Sequence, residues 1–461
     1  MIGSLQRRLA VLNGDRSSLR GRIVRGTFWV TTGHVAEIAF RLGSSLILTR
    51  LLTPSAFGIM ATAQVFLFTA IMISDVGIRA LVITHERPSD RSFIRTIWTF
   101  QFGRGIVLAI LVALFGQLLG FAQNKGWIVG ENSFAEPTLP ALISVLGITL
   151  AIDGLKSANE HMMVRELRQN SLVALEIGSK FIETILKIAA VWITESVWGL
   201  AYALILSSVV RSALSLLFIP GERMGFHWDK VHAAFVISRG KWIGVSSWAS
   251  MLGNVSDKVL IGAFFGSNIL GLYTLAWTIG NALHNLLAKV AESIAFPTVR
   301  ELVSQPVKKF RKKYFRVRDP FQVVGAVFGM GLAIGGPYIV SLAYDPRYEY
   351  SGVILSILSL RYLVFHLRVN SYVLRAKVQF ARLAAYNLIS VIGVSGAALI
   401  FANLRNLEAV VFAVSMIQSL GYLLVSRRLI QTKMVDRAGE IGRHLITVLS
   451  VVAVVMLVRS A

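Results

Sequence analysis

Apolar residues recur along this chain in long runs, separated by short polar segments from one end to the other. A helix needs about 20 mostly apolar residues to cross the hydrocarbon core of a bilayer. Lipid offers no partner to an unpaired backbone group, so such runs read as helices rather than open strands. Thirteen runs fit, near residues 26–48, 56–80, 97–119, 137–156, 171–193, 197–218, 241–264, 269–296, 321–342, 352–373, 382–401, 407–425 and 442–458. The pattern predicts an all-α polytopic membrane protein with about 13 transmembrane helices.

The polar segments alternate in charge. Segments 1–25, 81–95, 156–168, 219–241, 298–319, 374–382 and 427–443 together hold 32 Lys and Arg residues. The intervening loops and the last residues hold five, namely Arg50, Lys125, Arg347, Arg405 and Arg459. The positive-inside rule then places the N-terminus in the cytoplasm. Residues 1–25 carry six arginines without an apolar core, unlike a signal peptide.

Composition narrows the class further. Of 461 residues, 55% are hydrophobic and only 15% charged, with a mean hydropathy of +0.65. Soluble domains carry about 25% charged residues, so a water-soluble globular protein is excluded, and the absence of cysteine excludes a disulfide scaffold. The formal charge of +23 does not indicate nucleic acid, because the basic residues lie between apolar runs rather than on one face. Most of it is an orientation signal facing lipid headgroups.

The chain also repeats itself. Arg25-Gly26-Thr27-Phe28-Trp29 opens the first run and Arg239-Gly240-Lys241-Trp242 the seventh. Leu51-Leu52-Thr53-Pro54-Ser55-Ala56-Phe57-Gly58 follows the first, and Phe264-Phe265-Gly266-Ser267-Asn268-Ile269-Leu270-Gly271 the seventh, at an offset of 213–214 residues. Both copies start on the same side, which makes the repeat parallel, an arrangement common in transporters with a site between halves. The expected organisation is a basic cytoplasmic N-terminus (1–25), a six-helix half (26–218), a cytoplasmic linker (219–240), a second six-helix half (241–425) and a basic loop with an extra C-terminal helix (426–461).

The same residues carry a family resemblance. Leu51 to Gly58 resembles the "LLxPxxFG" turn of polysaccharide flippases, and Asp75-Val76-Gly77-Ile78-Arg79-Ala80-Leu81-Val82 their "DxGxxxALI" segment. Asn254 to Gly262, containing Asp257 and Ile261-Gly262, with Gly271-Leu272-Tyr273, is similar to their "DxxxIG…LGxY" signature. Phe296-Pro297 before a basic loop resembles the close of their eighth helix. The resemblance covers roughly residues 20–380. It is to the polysaccharide transport branch (Wzx-type O-antigen and exopolysaccharide flippases) of the multidrug/oligosaccharidyl-lipid/polysaccharide exporter superfamily. It implies twelve core helices, sometimes with two added, so a thirteenth departs from the pattern.

Ionisable residues inside apolar runs cost a few kcal/mol each and tend to face cavities. Ten basic residues (Arg41, Arg79, Arg104, Lys180, Lys187, Arg211, Lys258, Lys289, Arg361 and Arg368) stand against seven acids (Glu37, Asp75, Asp153, Glu176, Glu183, Asp257 and Glu292). Glu37 and Arg41 are spaced i,i+4, with His34 one turn earlier, and either line a cavity or bridge within their helix. Glu176, Lys180, Glu183 and Lys187 share one stripe, open to a cavity or a structural reading alike. Asn254, Asp257, Lys258, Asn281, His284, Asn285, Lys289 and Glu292 make the seventh and eighth runs the most polar pair.

The candidates for a substrate cavity are therefore Arg41, Glu37, Arg104, Lys180, Asn254, Lys258, Asn281, Asn285, Lys289 and Arg361. Those for gating or ion coupling are Asp75, Asp257 and Glu292. Asp257 would act as a gate if it pairs with Lys289 or Arg41. A basic excess suits a diphosphate, whose oxygens guanidinium groups hold in bidentate fashion.

No P-loop, metal-ligand spacing or other cofactor motif occurs, and the longest outside segment, 120–136, is too short for a catalytic domain. With the resemblance, the expectation is a non-enzymatic flippase of the bacterial inner membrane. Its cargo would be an undecaprenyl-diphosphate-linked oligosaccharide, moved outward by alternating access, with the diphosphate among Arg41, Lys258, Lys289 and Arg361. Its other partners would be membrane lipids and the polymerase and chain-length proteins of the same pathway. A drug or cation antiporter of the same superfamily and a membrane-embedded polymerase or transferase are the alternatives.

Overall fold

The computed structural model describes residues 19–85, 90–166, 168–435 and 442, and of 19–28, 169, 241–254, 380–381 and 417–419 the backbone alone. The side chain of Asn254 and the run 442–458 fall outside the described residues. The helices in chain order are α1 (Leu19–Leu51), α2 (Pro54–Ile73), α3 (Ile78–Thr84), α4 (Arg91–Asn124), α5 (Leu139–Leu146), α6 (Ile148–Gly154), α7 (Asn159–Arg165), α8 (Gln169–Thr194) and α9 (Val197–Phe218). There follow α10 (Lys230–Val303), α11 (Val307–Ala343), α12 (Tyr350–Leu358), α13 (Leu360–Leu363), α14 (Arg368–Ala376), α15 (Phe380–Asn403), α16 (Leu407–Ser415) and α17 (Ile417–Gln431). Among the described residues there is no strand.

Each of the first twelve apolar runs coincides with helix. Eight described helical segments are long and apolar enough to cross a membrane, or nine when the bent pair Leu139–Gly154 and Asn159–Arg165 is one span. The other runs lie in α1, in α8 and in α10 before Gly266. The segment α10 covers 74 residues, more than one span requires, and comprises two helices. It is divided by Gly266, whose φ of 81° and ψ of 176° no residue with a side chain adopts without strain.

The chain forms two compact units. Of the described residues, one unit holds those up to Leu51 with those of Ala63–Ile128 and Pro137–Met251; the other holds Leu52–Thr62, Val129–Glu136 and the described residues from Leu252 onward. In the first unit α8 packs against α1 and α9, and α4 against α5 and α6. At the end bearing the basic loops, Ile78, Leu81, Phe93, Ile97, Trp98 and Val236 form a common core. In the second unit α11 packs on α12 and α13, and α15 on α16 and α17.

The internal repeat extends beyond the motifs that announce it. In the first unit a Cβ on Gly105 of α4 would meet the carbonyl oxygen of Leu150 at 2.5 Å, and one on Gly116 the oxygen of Pro140 at 2.6 Å, beside Ser144. In the second, Gly325 of α11 faces the carbonyl of Tyr362, and Gly336 faces that of Gly352 at 3.0 Å, beside Ser356. The serines bond alike, Ser144 to the Pro140 carbonyl at 3.0 Å and Ser356 to the Gly352 carbonyl at 3.1 Å. Small residues let helices approach closely in lipid, and both units use them at matching places. Each fourth-run helix also breaks at a matching point, at Gly147 between α5 and α6 and at Ser359 between α12 and α13.

Candidate functional site

The polar residues predicted on the seventh and eighth runs, Asn254 aside, lie in the second unit. Asp257 is buried, and one of its oxygens accepts a hydrogen bond from the Tyr273 hydroxyl at 2.6 Å. Its partner is thus a tyrosine of the LGxY segment rather than a lysine. The other oxygen, Oδ1, is buried without a hydrogen-bond partner among the described residues. Lys258, one residue on, points elsewhere, with its ammonium 4.4 Å from the centre of the Trp277 ring. That distance is a cation–π contact, which partly replaces the water an intramembrane lysine gives up.

Arg361 stands where the helix break at Ser359 lets α13 approach α10. Gly280 makes room for it: a Cβ there would lie 3.0 Å from a guanidinium nitrogen. The Nε and Nη2 atoms of Arg361 are buried and have no hydrogen-bond partner among the described residues. Tyr362 fixes the local geometry by donating to the Gly280 carbonyl. The His284 ring stands edge-on to Tyr362 and Phe365, at 5.8 and 5.3 Å between centroids. Arg361 and Arg368 are both near enough to His284 to act on it electrostatically. A buried guanidinium with open donors is costly unless something accepts from it.

Other predicted residues of this unit divide. Glu292 is held by Arg375, whose Nη1 lies 2.8 Å from Oε1 and 3.0 Å from Oε2. Arg375 also stacks over Phe296 at 4.9 Å. Asn281, Asn285 and Lys289 lie half-buried on the same helix as His284. Nearer the basic-loop end, fully buried Arg318 donates to the Asn370 side-chain oxygen at 3.1 Å, and Asn370 in turn donates to Ser426 at 2.5 Å. Arg318, Tyr273, Tyr362 and Arg375 were not anticipated as partners. Only Tyr273 left a sequence signal, inside the Gly271-Leu272-Tyr273 segment.

In the first unit the predicted residues are mostly engaged with one another. Glu37 contacts His34 at 3.5 Å, and of the two readings of Glu37 and Arg41 the i,i+4 bridge is not made among the described residues. The Nε of Arg41 is buried without a hydrogen-bond partner among the described residues. Lys180 and Lys187 both bind Glu183, at 2.7 and 2.5 Å, the self-paired version of the α8 stripe. Arg211 grips Glu160 with two nitrogens, at 2.8 and 3.0 Å. Asp75 accepts from the Gly77 amide at 2.8 Å and so caps the turn between α2 and α3, where Gly77 adopts φ 62°. Arg104 donates to the Ser74 carbonyl at 3.1 Å. Among the described residues no group of three or more His, Cys, Asp or Glu is arranged to hold a metal ion.

Helix breaks at matching places and charge within apolar runs define a polytopic helical membrane protein. The family model described as "Polysaccharide biosynthesis protein" matches residues 47–353. The chain belongs to that family. It is 22% identical over 337 residues to the lipopolysaccharide biosynthesis protein WzxC of Escherichia coli strain K12, covering 72% of this chain and 65% of that protein. It is 22% identical over 290 residues to the teichuronic acid biosynthesis protein TuaB of Bacillus subtilis strain 168, covering 61% and 56%. It is 26% identical over 321 residues to the probable flippase AglR of Haloferax volcanii, covering 66% and 60%. The matched stretches thus span 56–65% of these relatives' own length.

The fold is that of two solved transporters. A structure of the lipid II flippase MurJ superposes with a TM-score of 0.64 at 12% identity, covering 95% of this chain and 98% of that one. An inward-facing multidrug resistance MATE transporter of the MOP superfamily gives 0.62 at 13% identity, covering 92% and 95%.

Proposed function

We propose that this protein is a flippase for an undecaprenyl-diphosphate-linked oligosaccharide, acting in the inner membrane of a bacterium. Its N-terminus and basic loops lie in the cytoplasm, a placement supported by the 32 basic residues on one set of loops under the positive-inside rule. Cargo enters from that side and leaves on the other by alternating access of the two six-helix halves, 26–218 and 241–425. The lipid tail stays in the bilayer throughout.

The observation that carries this reading is Arg361. Its buried Nε and Nη2 have no protein acceptor among the described residues, and a phosphate oxygen is the acceptor a planar guanidinium fits best. Lys258, Lys289 and Arg368 add positive character on the helices beside it. Trp277, half-buried, offers a flat face on which a sugar ring packs. A drug or cation antiporter needs an acidic site, and this one is basic.

Asp257 is the group proposed to couple transport to an ion. It is buried with one oxygen open, so a proton or sodium ion there would bias the two access states.

Deleting the gene in its native host tests the reading. Lipid-linked repeat units are expected to accumulate on the cytoplasmic leaflet. Wild-type protein is expected to relieve this, and Arg361→Gln is not. Without accumulation the flippase assignment falls.

A further inference from the structure

The first unit contains a cavity of about 580 Å³ that the transport reading does not use. It lies at the basic-loop end, among α2, α3, α4, α6 and α7, and its volume is in the range of small-ligand sites. Its walls are mostly apolar, formed by residues such as Ile83, Leu108 and Leu150, with Arg79 and Arg104 among its polar lining.

The charges around it are unequally satisfied. Asp75 is occupied capping Gly77 at 2.8 Å, and Asp153 faces Lys156 at 2.8 Å. Arg104 uses Nη1 on the Ser74 carbonyl at 3.1 Å, but its Nε is buried with no hydrogen-bond partner among the described residues. Arg79 is exposed and makes no hydrogen bond or ion pair among them. Asp75 also acts electrostatically on Arg104, yet the Arg104 Nε is left without an acceptor among the described residues and Arg79 stays exposed. Two open guanidinium groups beside an apolar wall match an anion attached to a hydrocarbon chain.

We propose that this cavity binds a phosphate group carried on an apolar chain, with the phosphate between Arg79 and Arg104 and the chain against α4. The site is separate from the basic cluster of the second unit and does not depend on it. A bilayer phospholipid and a polyprenyl phosphate share this chemistry.

Native mass spectrometry of the full-length protein, titrated separately with phosphatidylglycerol, a polyprenyl phosphate, phosphatidylcholine and inorganic phosphate, tests the proposal. Wild-type protein is expected to retain at least one of the first two, and the tighter of them names the source. The pair Arg79→Gln with Arg104→Gln is expected to weaken that binding about ten-fold, the scale of losing charge-assisted phosphate contacts. Arg79→Gln alone, at an exposed position, is expected to weaken it measurably with thermal unfolding unchanged. Ala80→Trp, which fills the cavity without altering charge, is expected to weaken it too. Arg361→Gln, in the other unit, is expected to leave it unchanged. Equal binding by wild type and Arg79→Gln, equal retention of phosphatidylcholine, or equal affinity for inorganic phosphate would overturn the proposal.

Discussion

Gly58 and Gly271, 213 residues apart, form one reciprocal crossing in which each glycine lies under the backbone of the other's turn. A Cβ on Gly58 would stand 2.6 Å from the carbonyl carbon of Ser267, and one on Gly271 would stand 2.6 Å from that of Pro54. Pro54 and Ser267 hold the same place in the repeat, so the contact has the symmetry of the sequence motif that carries it. Ser55 and Ser267 hydrogen-bond across it at 2.9 Å, Ser267 also bonds Glu136, and the Tyr348 hydroxyl closes on the Leu52 carbonyl at 2.9 Å.

Neither glycine can accept a methyl group without moving a backbone. Overpacking typically costs about 1–3 kcal/mol, and here the obstacle is main chain rather than a side chain that can turn away. Gly58→Ala and Gly271→Ala are each expected to cost at least the upper end of that range. Ser55→Ala, which removes one hydrogen bond, is expected to cost about 1 kcal/mol. Thermal unfolding in detergent reads both. An alanine at Gly58 tolerated as well as one at Ser55 would mean the crossing is looser than described.

The Tyr273–Asp257 bond gives a second expectation. Hydrogen bonds to charged groups contribute about 1.5–3 kcal/mol, so Tyr273→Phe is expected to destabilise by about that amount. Tyr273→Phe combined with Asp257→Asn is expected to cost less than the sum of the two single changes, because both remove one interaction. Chemical or thermal unfolding of the four proteins measures the difference, and strict additivity would show that the two do not interact.

Arg211 and Glu160 behave as a unit in the first half. Their side chains retain 17% and 19% exposure, so breaking the pair is expected to cost less than the 3–5 kcal/mol of a fully buried one, about 1–3 kcal/mol. Glu160→Gln and Arg211→Gln should each show this loss. Glu160→Leu with Arg211→Met together is expected to lie closer to wild type than either, as unfolding midpoints would reveal.

Acid is expected to loosen the start of α10. The Asp229 carboxylate accepts the Val231 amide at 2.8 Å and the His232 amide at 3.1 Å, and these bonds hold its pKa below the ordinary value of 3.8. A lowered pKa means the stabilisation is complete above the ordinary value and is lost as pH falls through the lowered one. Amide hydrogen exchange over residues 230–236 is expected to accelerate, beyond its intrinsic pH dependence, between pH 4 and lower values in wild type. In Asp229→Asn, which keeps the acceptor oxygen without its titration, that extra acceleration should vanish.

The spans were legible in the sequence because hydrophobicity alone decides whether a segment enters lipid, and twelve runs reappear as helix. The breaks at Gly147 and Ser359 were not, since an apolar run reads the same whether its helix is continuous or divided. Pairings were legible only within one helix. The stripe of Lys180, Glu183 and Lys187 follows from spacing, whereas the hold of Arg375 on Glu292 needs the neighbour that only the fold supplies. Even local spacing misleads when a competitor is closer, as with Glu37, which meets His34 instead of Arg41. The matching breaks at Gly147 and Ser359 place Arg361 opposite Thr149 of the first half, so this cation has no twin, and nothing in the motifs marks that asymmetry.

Transbilayer movement of a fluorescent polyprenyl-diphosphate-linked oligosaccharide in proteoliposomes tests the central claim most directly. Wild-type protein is expected to move it from one leaflet to the other. Arg361→Gln is expected to slow this at least ten-fold, the scale of losing a charge-assisted phosphate contact, and Arg361→Lys to restore part of the rate. Movement at the protein-free rate, or at an undiminished rate in Arg361→Gln, would contradict the account.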